Sequence, residues 1–186
     1  MNVTPLALEG AYIVDTKAQG DHRGHFARFF CAKEFGEVGI KTSIVQANHS
    51  LTTMKGALRG MHFQRPPMSE VKMVRCVRGA VFDVVVDIRV GSPTYLQWHG
   101  EVLSAENMRL MVVPEGFAHG FQALEPMSEV MYLVTQYYGP KHEGGLRYDD
   151  PAIGIEWPLA VKDVSQKDAT HPLITEGFVG IDMEVS

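Results

Sequence analysis

Cysteine is scarce in this sequence: Cys31 and Cys76 are the only two among 186 residues. Two thiols this far apart do not make a disulfide framework, and they lack the paired short spacings of a structural zinc site. We therefore expect both to be reduced thiols and the protein to be cytoplasmic.

Long apolar runs are also absent. The longest, such as Ala80–Ile88, are much shorter than the roughly 20 residues that a membrane-spanning helix needs, and this run carries Asp83 and Asp87. Residues 1–10 show neither the basic nor the apolar region of a secretory signal, so we expect no export. The sequence argues against a membrane partner.

Positive charge is in the minority, with 17 Lys and Arg against 22 Asp and Glu and a net charge of −5 at pH 7. A protein with this balance repels a polyanion, so we expect no nucleic acid partner. A small anionic ligand stays compatible, because a few converging Arg and Lys side chains can bind a diphosphate locally.

The apolar runs that are present have the length of strands. With 45% hydrophobic and 21% charged residues, we expect one folded domain over residues 1–186. Alternation within Ala80–Ile88 predicts a half-buried strand. Helical patterns are short, over Ala32–Val38 and Ser165–Thr170. Strands separated by Gly and Pro therefore predict an all-β fold, a double-sheet jelly roll with a few short helices. The other predicted strands include Lys72–Val77, Trp98–Leu103, Met108–Val113 and Glu129–Thr135.

Polar side chains are concentrated in the segment Gln46–Gln64, beside residues of strand character. His62 is the best candidate for a base, because imidazole is the only side chain whose ordinary pKa lies near neutrality. On a regular strand Arg59 and His62 would face opposite sides, so a shared pocket needs a bulge, a strand end or a neighbouring subunit. For each residue alone, an exposed sheet face is the alternative. The polar residues are Gln46, Asn48, His49, Arg59, His62 and Gln64.

A second cluster lies in Val113–Phe121, where a Pro/Gly turn precedes His119 and small neighbours leave room for a ligand. A core histidine bonded to a carbonyl is the alternative. Two histidines in a jelly roll raise the question of a metal site, since metal-dependent cupins use a His-x-His pair, a Glu and a later His. Here Gln64 stands two residues after His62, so the first pair is missing and we expect no catalytic metal.

Other reaction classes lack their motifs. There is no Gly-x-Ser-x-Gly segment, and neither a dinucleotide nor a P-loop fingerprint occurs. What remains is acid and base chemistry by His, Tyr, Asp and Lys. Taken singly, Lys72 could face a cavity or equally be a surface lysine, Tyr132 reads as a core tyrosine and Asp168 as a residue of a solvated helix.

Read together, these segments resemble the dTDP-4-dehydrorhamnose 3,5-epimerase family, a metal-free branch of the cupin superfamily. The resemblance spans some 140 residues in order and spacing, and it implies a cupin-type double-stranded β-helix without a cofactor. Its segments are Asp21–Phe26 (DHRGHF), Gln46–Ser50 (QANHS), Leu58–Gln64 (LRGMHFQ), Lys72–Arg75 (KMVR), Val113–Phe121 (VPEGFAHGF) and Asp149–Pro158 (DDPAIGIEWP).

The resemblance also implies a reaction, inversion of both carbons that flank the ketone of a nucleotide-linked 4-keto-6-deoxy sugar. It makes His62 the proton acceptor and Asp168 the carboxylate that holds its tautomer. Tyr132 would return a proton from the opposite face, Lys72 would stabilise the developing enolate oxygen, and His119 would position the substrate. The family positions that contact the nucleotide sugar correspond to Arg23, Gln46, Asn48, Arg59, Glu143 and Lys167.

The family is dimeric, and its N-terminal segment contributes to the neighbour's site, so the resemblance implies a homodimer. Two residues depart from the family pattern: Arg28 replaces a Glu, and Ala47 stands where Asp is usual. Both changes remove an acid, and we expect them near the nucleotide end of the site. A single-carbon epimerase or ketoisomerase acting on another activated sugar, a non-catalytic sugar-binding cupin and a metal-dependent cupin are the alternatives.

Overall fold

The computed structural model describes residues 1–174, 178 and 180–184. Over this part of the chain it contains fourteen strands and two short helices, which confirms the expected all-β class. The strands are β1 (Asn2–Pro5), β2 (Tyr12–Asp15), β3 (Ala18–Asp21), β4 (Gly24–Ala27), β5 (Gln46–Thr52), β6 (Ala57–Gln64), β7 (Lys72–Arg78), β8 (Ala80–Asp87), β9 (Trp98–Ser104), β10 (Leu110–Val113), β11 (Phe117–Ala123), β12 (Ser128–Val134), β13 (Glu143–Gly145) and β14 (Asp163–Val164). The helices are α1 (Ala32–Glu37) and α2 (Gln166–Ala169).

The strands form two main sheets of a jelly roll. Strands β1-β2-β10-β7-β12-β5 make the front sheet, and β13-β6-β11-β8-β9 make the back sheet, which β14 joins by pairing with β6. Strand pairs within the two sheets are antiparallel apart from β14 with β6. Strands β3 and β4 make a separate hairpin. Apart from β1 with β2 and β8 with β9, neighbouring strands in the two sheets come from distant parts of the chain, as in a double-sheet jelly roll.

The main core lies between the two sheets. Val74 of β7 and Met111 of β10 pack there against Val85 of β8, Leu103 of β9 and Phe117 of β11, and each of these is at most 4% exposed. Burying one such side chain stabilises the fold by roughly 1.5–3 kcal/mol. These core side chains fix the distance between the two sheets. They therefore also set the width of any cavity that lies between the sheets.

Strand β8 is buried on both faces, so the expectation of a half-buried strand is wrong. Val84, Val86 and Ile88 lie on the face away from the main core, yet none is exposed. Leu146 and Ile153, from the chain after β13, cover that face of the back sheet. Alternation within one strand cannot show that a distant segment will cover its second face.

Helix α1 covers part of the front sheet's outer face. Phe35 is fully buried there in one cluster with Val14, Met73 and Leu110. Phe30 packs edge-on against Phe35, with ring centroids 5.6 Å apart. The predicted helices are confirmed within one or two residues of their ends, and among the described residues no helix is long and apolar enough to cross a membrane.

A β-bulge interrupts the regular pairing of β6 with β11. His119 pairs with His62 and Phe121 pairs with Arg59, so β6 has one more residue than β11 between these two pairs. The extra residue brings Arg59 and His62 to the same cavity. Of the three arrangements that would allow a shared pocket, the structure therefore has the bulge. Gly120 makes this possible, because a Cβ added there would lie only 2.7 Å from the Arg59 carbonyl oxygen.

We expect Gly120→Ala to lower the free energy of unfolding by about 1–3 kcal/mol, because the new methyl group overlaps the β6 backbone. Gly36→Ala in α1 is the matched control, since a Cβ there has no heavy atom within 4 Å and alanine favours a helix over glycine. Urea denaturation of both variants measures the effect. Equal midpoints for Gly120→Ala and the unmodified chain would contradict the close approach of the two strands.

Candidate active site

Two adjoining cavities lie between the front and back sheets. The larger has a volume of about 580 Å³ and the smaller about 290 Å³. His62, Lys72 and Tyr132 line both, so they stand at the boundary between the two spaces. A ligand that extends through both cavities would pass these three side chains.

His62 is held by a buried carboxylate. Its Nε2 lies 2.7 Å from Oδ1 of Asp168, whose other oxygen accepts the backbone N–H of Gly60 at 3.1 Å. Ser165 caps α2 by accepting the backbone N–H of Asp168 at 3.0 Å. Asp168 is only 3% exposed, so the expectation of a solvated helix residue is wrong.

The charge state of this pair follows from its contacts. Burial by itself would raise the pKa of Asp168, but the hydrogen bond and charge of His62, with the Gly60 N–H and Ser165, hold it below its ordinary value. An ionised Asp168 accepts a hydrogen bond from Nε2, so Nε2 carries the proton. The lone pair of His62 is then on Nδ1, and an imidazole lone pair can accept a proton near neutral pH.

Tyr132 reaches the cavities from the opposite wall. It belongs to β12 of the front sheet, whereas His62 belongs to β6 of the back sheet. Burial raises the pKa of the Tyr132 phenol, the nearby charge of Glu70 raises it further, and Arg59 opposes the shift. The phenol is therefore protonated at neutral pH and can act as an acid.

Lys72 is an ion-paired lysine within the site. Its Nζ lies 3.2 Å from Oε1 of Glu70, and the two side chains are 14% and 10% exposed. Of the two interpretations of Lys72, the one that places it facing a cavity is therefore confirmed. Sequence reasoning did not identify Glu70 as the partner of Lys72. The sequence feature that indicates the pair is an acid two residues before a lysine at the start of a strand.

His119 has a buried carboxylate partner of its own. Its Nε2 lies 2.8 Å from Oδ1 of Asp83, which is completely buried. The alternative interpretation of His119, a core histidine bonded to a backbone carbonyl, is therefore wrong. Sequence reasoning did not assign Asp83 to the site, although an acid within the apolar run of β8 signals a paired buried charge.

The ends of the cavities carry charged side chains held in networks. In the larger cavity, Arg59 Nε donates to the Thr52 hydroxyl at 3.0 Å and its terminal nitrogen donates to the Leu51 carbonyl at 3.1 Å. Lys167 Nζ donates to Glu143 at 2.6 Å. These contacts fix the direction of two cations without neutralising Arg59.

Glu143 links this network to the smaller cavity, where Tyr138 donates to it at 2.9 Å. Burial would raise the pKa of Glu143, but the hydrogen bonds from Lys167 and Tyr138 lower it below its ordinary value. Gln46 accepts the backbone N–H of Tyr138 at 2.7 Å, and Asn48 lies beside it on the cavity wall.

The structure brings ten of the eleven predicted site residues to one or other cavity. They are Gln46, Asn48, Arg59, His62, Lys72, His119, Tyr132, Glu143, Lys167 and Asp168. Arg23 is the exception: it lies on the β3–β4 hairpin, its side chain is 79% exposed, and it pairs with Asp21.

The two departures from the family pattern, Arg28 and Ala47, both lie outside the cavities of their own chain. Arg28 is exposed and forms an ion pair with Glu34 of α1 at 3.0 Å. Ala47 lies between the cavity-lining residues Gln46 and Asn48, so strand alternation puts it on the outer face of the front sheet. Neither residue lines a cavity of its own chain, and their expected place near the nucleotide end stays a prediction.

Potential metal ligands are clustered at one place among the described residues. His62, Asp168 and His171 each offer a ligand atom, and these atoms lie within 4.8 Å of one another. The cluster differs from the His-x-His set of metal-dependent cupins, because His171 comes from the chain after α2.

Known proteins similar to this chain carry related names. A family model described as dTDP-4-dehydrorhamnose 3,5-epimerase matches residues 5–176. A Salmonella typhimurium protein named dTDP-4-dehydrorhamnose 3,5-epimerase is 46% identical over 181 residues, covering 96% of this chain and 98% of its own. A Streptomyces niveus protein named dTDP-4-dehydrorhamnose 3-epimerase is 38% identical, covering 95% and 85%.

A solved structure is also similar to this chain over nearly its whole length. It is the dTDP-6-deoxy-D-glucose-3,5-epimerase from Legionella pneumophila Philadelphia 1 in complex with dTDP-4-keto-L-rhamnose, with 41% identity, a TM-score of 0.89 and coverage of 97% of each chain. Both the sequence and the fold therefore match over nearly the whole length. The chain belongs to the dTDP-4-dehydrorhamnose 3,5-epimerase family.

Proposed function

We propose that this protein converts dTDP-4-keto-6-deoxy-D-glucose into dTDP-4-keto-L-rhamnose by inverting C3 and C5. The observation that carries the proposal is the placement of a base and an acid on opposite walls of one cavity. His62 stands on the back sheet with Asp168 behind it, and Tyr132 faces the same space from the front sheet. Inversion needs this arrangement, because a proton leaves one face of the carbon and another arrives at the opposite face.

The proton transfers follow from the roles of these groups. His62 Nδ1 takes the proton from the carbon next to the ketone, and the electron pair of the C–H bond moves into the enolate. Asp168 stabilises the imidazolium that forms. The Tyr132 hydroxyl then donates its proton to the other face of the carbon, and solvent restores both groups. C3 and C5 both flank the C4 ketone, so the same chemistry serves each.

Lys72 supplies positive charge at the enolate oxygen. It stands at the boundary of the two cavities, where its pairing with Glu70 fixes its direction. A preorganised cation in a water-poor site stabilises developing negative charge more than it would in bulk water. His119 pairs with His62 in the back sheet and is held by Asp83. Its side chain positions the sugar hydroxyls.

The diphosphate binds at the cationic end of the larger cavity. Arg59 is fixed by neutral acceptors and keeps its full charge, and its planar guanidinium suits bidentate contact with phosphate oxygens. Lys167 adds a second cation. Gln46, Asn48 and Glu143 form the wall of the smaller cavity and contact the remainder of the nucleotide sugar.

A single-carbon epimerase is the second candidate. The Streptomyces niveus relative is named a 3-epimerase, although it matches nearly the whole chain. The two activities share proton removal at C3 and differ in whether C5 is inverted. The configuration of C5 in the product therefore separates them.

We also propose a homodimer in which the β3–β4 hairpin reaches the partner's cavity. All but one of the ten residues from Ala18 to Ala27 are exposed in the single chain, including Phe26 at 68%. An apolar ring in such a position is suited to an interface. This arrangement would bring Arg23, which is distant from its own cavity, to the substrate. The free thiols of Cys31 and Cys76 support a cytoplasmic location.

Replacing the base and the acid should separate the two halves of the reaction. We expect His62→Asn to lower deuterium uptake from solvent at C3 and C5 by about 10²- to 10⁴-fold, because the variant lacks the proposed proton acceptor. Tyr132→Phe should keep uptake but lose inversion. NMR of the sugar in deuterated water measures both effects.

The control for the second variant is Tyr137→Phe, since Tyr137 is 60% exposed and lines neither cavity. It should behave as the unmodified protein does. Normal inversion by Tyr132→Phe would reduce Tyr132 to a structural residue, and normal uptake by His62→Asn would remove the proposed base.

The proposed use of Arg23 by the partner can be tested with mixed dimers. We expect Arg23→Ala to raise KM, and co-expression with His62→Asn chains should restore activity at low substrate concentration. A mixed dimer has one site with both residues intact only if Arg23 serves the neighbouring site. Activity no higher than that of the two separate variants would place Arg23 outside the partner's site.

A further inference from the structure

His171 packs beside the His62–Asp168 pair, in a space that a glycine leaves open. Its ring packs edge-on to that of His62, with centroids 6.4 Å apart and planes at 76°. Gly145, which pairs with His62 across β13 and β6, leaves the room, because a Cβ at that position would overlap the imidazole of His171. His171 lines neither cavity, so the reaction proposed above gives it no role.

The Nε2 atom of His171 is buried and has no hydrogen-bond partner among the described residues. A neutral imidazole is the commonest metal ligand in proteins. An unpartnered ring nitrogen beside another histidine and a carboxylate therefore needs a ligand.

We propose that His62, Asp168 and His171 bind a divalent transition metal ion of the zinc type, and that this ion inhibits the enzyme. The three ligand atoms lie within 4.8 Å of one another. Two imidazoles and one carboxylate with an open fourth position form a recognised zinc ligand set, whereas magnesium and calcium prefer oxygen ligands. The Gly60 N–H, bonded to the second oxygen of Asp168, orients that ligand from the outer shell.

Inhibition follows from where the ion would lie. Zinc at the dyad takes the place of the proton on His62 Nε2, the atom that faces Asp168. A neutral imidazole that binds the metal through Nε2 carries its proton on Nδ1. Nδ1, the atom proposed to take the proton from the sugar, then has no free electron pair. This consequence depends on the proposed role of His62 in proton removal, whereas binding of the ion does not.

Cobalt and zinc titration of the metal-free full chain tests the binding. We expect one Co²⁺ per chain with the visible absorption of a four-coordinate site, displaced by Zn²⁺. His171→Ala should weaken binding at least about 10-fold, since even outer-shell changes cost that much. His171→Asn, which keeps a polar side chain of similar size, should do the same if the alanine variant is unstable.

His99→Ala is the matched control. His99 also has a buried, unpartnered Nε2 and lies 3.7 Å from Glu101, but it has no second imidazole in a cluster among the described residues. Its replacement should leave Co²⁺ binding unchanged. Absence of the Co²⁺ spectrum in the unmodified chain, or its persistence at full affinity in both His171 variants, would overturn the site.

The activity measurement is made separately. Zn²⁺ should suppress deuterium uptake by the unmodified enzyme, and uptake by His171→Ala should be normal without zinc and resistant to zinc at the same concentration. Equal zinc sensitivity of the two proteins would contradict inhibition through this site. A protein that binds Co²⁺ through His171 but never exchanges protons with the sugar would refute the proposed function and leave the metal site intact.

Discussion

The site depends on one buried carboxylate. Asp168 is 3% exposed, and a charge in that position is costly unless it is paired and hydrogen-bonded. The His62 ring, the Gly60 N–H and the Ser165 cap together meet that need. They also attach the chain near α2 to β6, more than 100 residues earlier. The same contacts that allow the charge to be buried therefore orient the base.

The other charges of the cavities follow the same rule. Glu70 holds Lys72, Asp83 holds His119, and Glu143 holds Lys167. Each carboxylate fixes the direction of a side chain that faces the ligand, which is the preorganisation that enolate chemistry requires. Arg59 differs because only neutral oxygens fix it, so its charge is left for an anionic ligand.

The sequence predicted five of the fourteen strands and both helices, because their signals are local. It also predicted ten residues that line the cavities, through motifs spread along the chain. It did not predict the covered second face of β8, the pairing of Asp83 with His119 or the place of His171, since each depends on segments that meet only in the folded chain. The position of Ala47 follows from strand alternation.

The measurement that tests the account most directly is an NMR time course of the unmodified protein with dTDP-4-keto-6-deoxy-D-glucose in deuterated water. A base and an acid on opposite walls predict deuterium at both C3 and C5 and a product with the L-rhamno configuration. Deuterium at C3 alone would show a single-carbon epimerase. Deuterium at neither carbon would contradict the assignment of His62 and Tyr132 as the groups that move protons on this sugar.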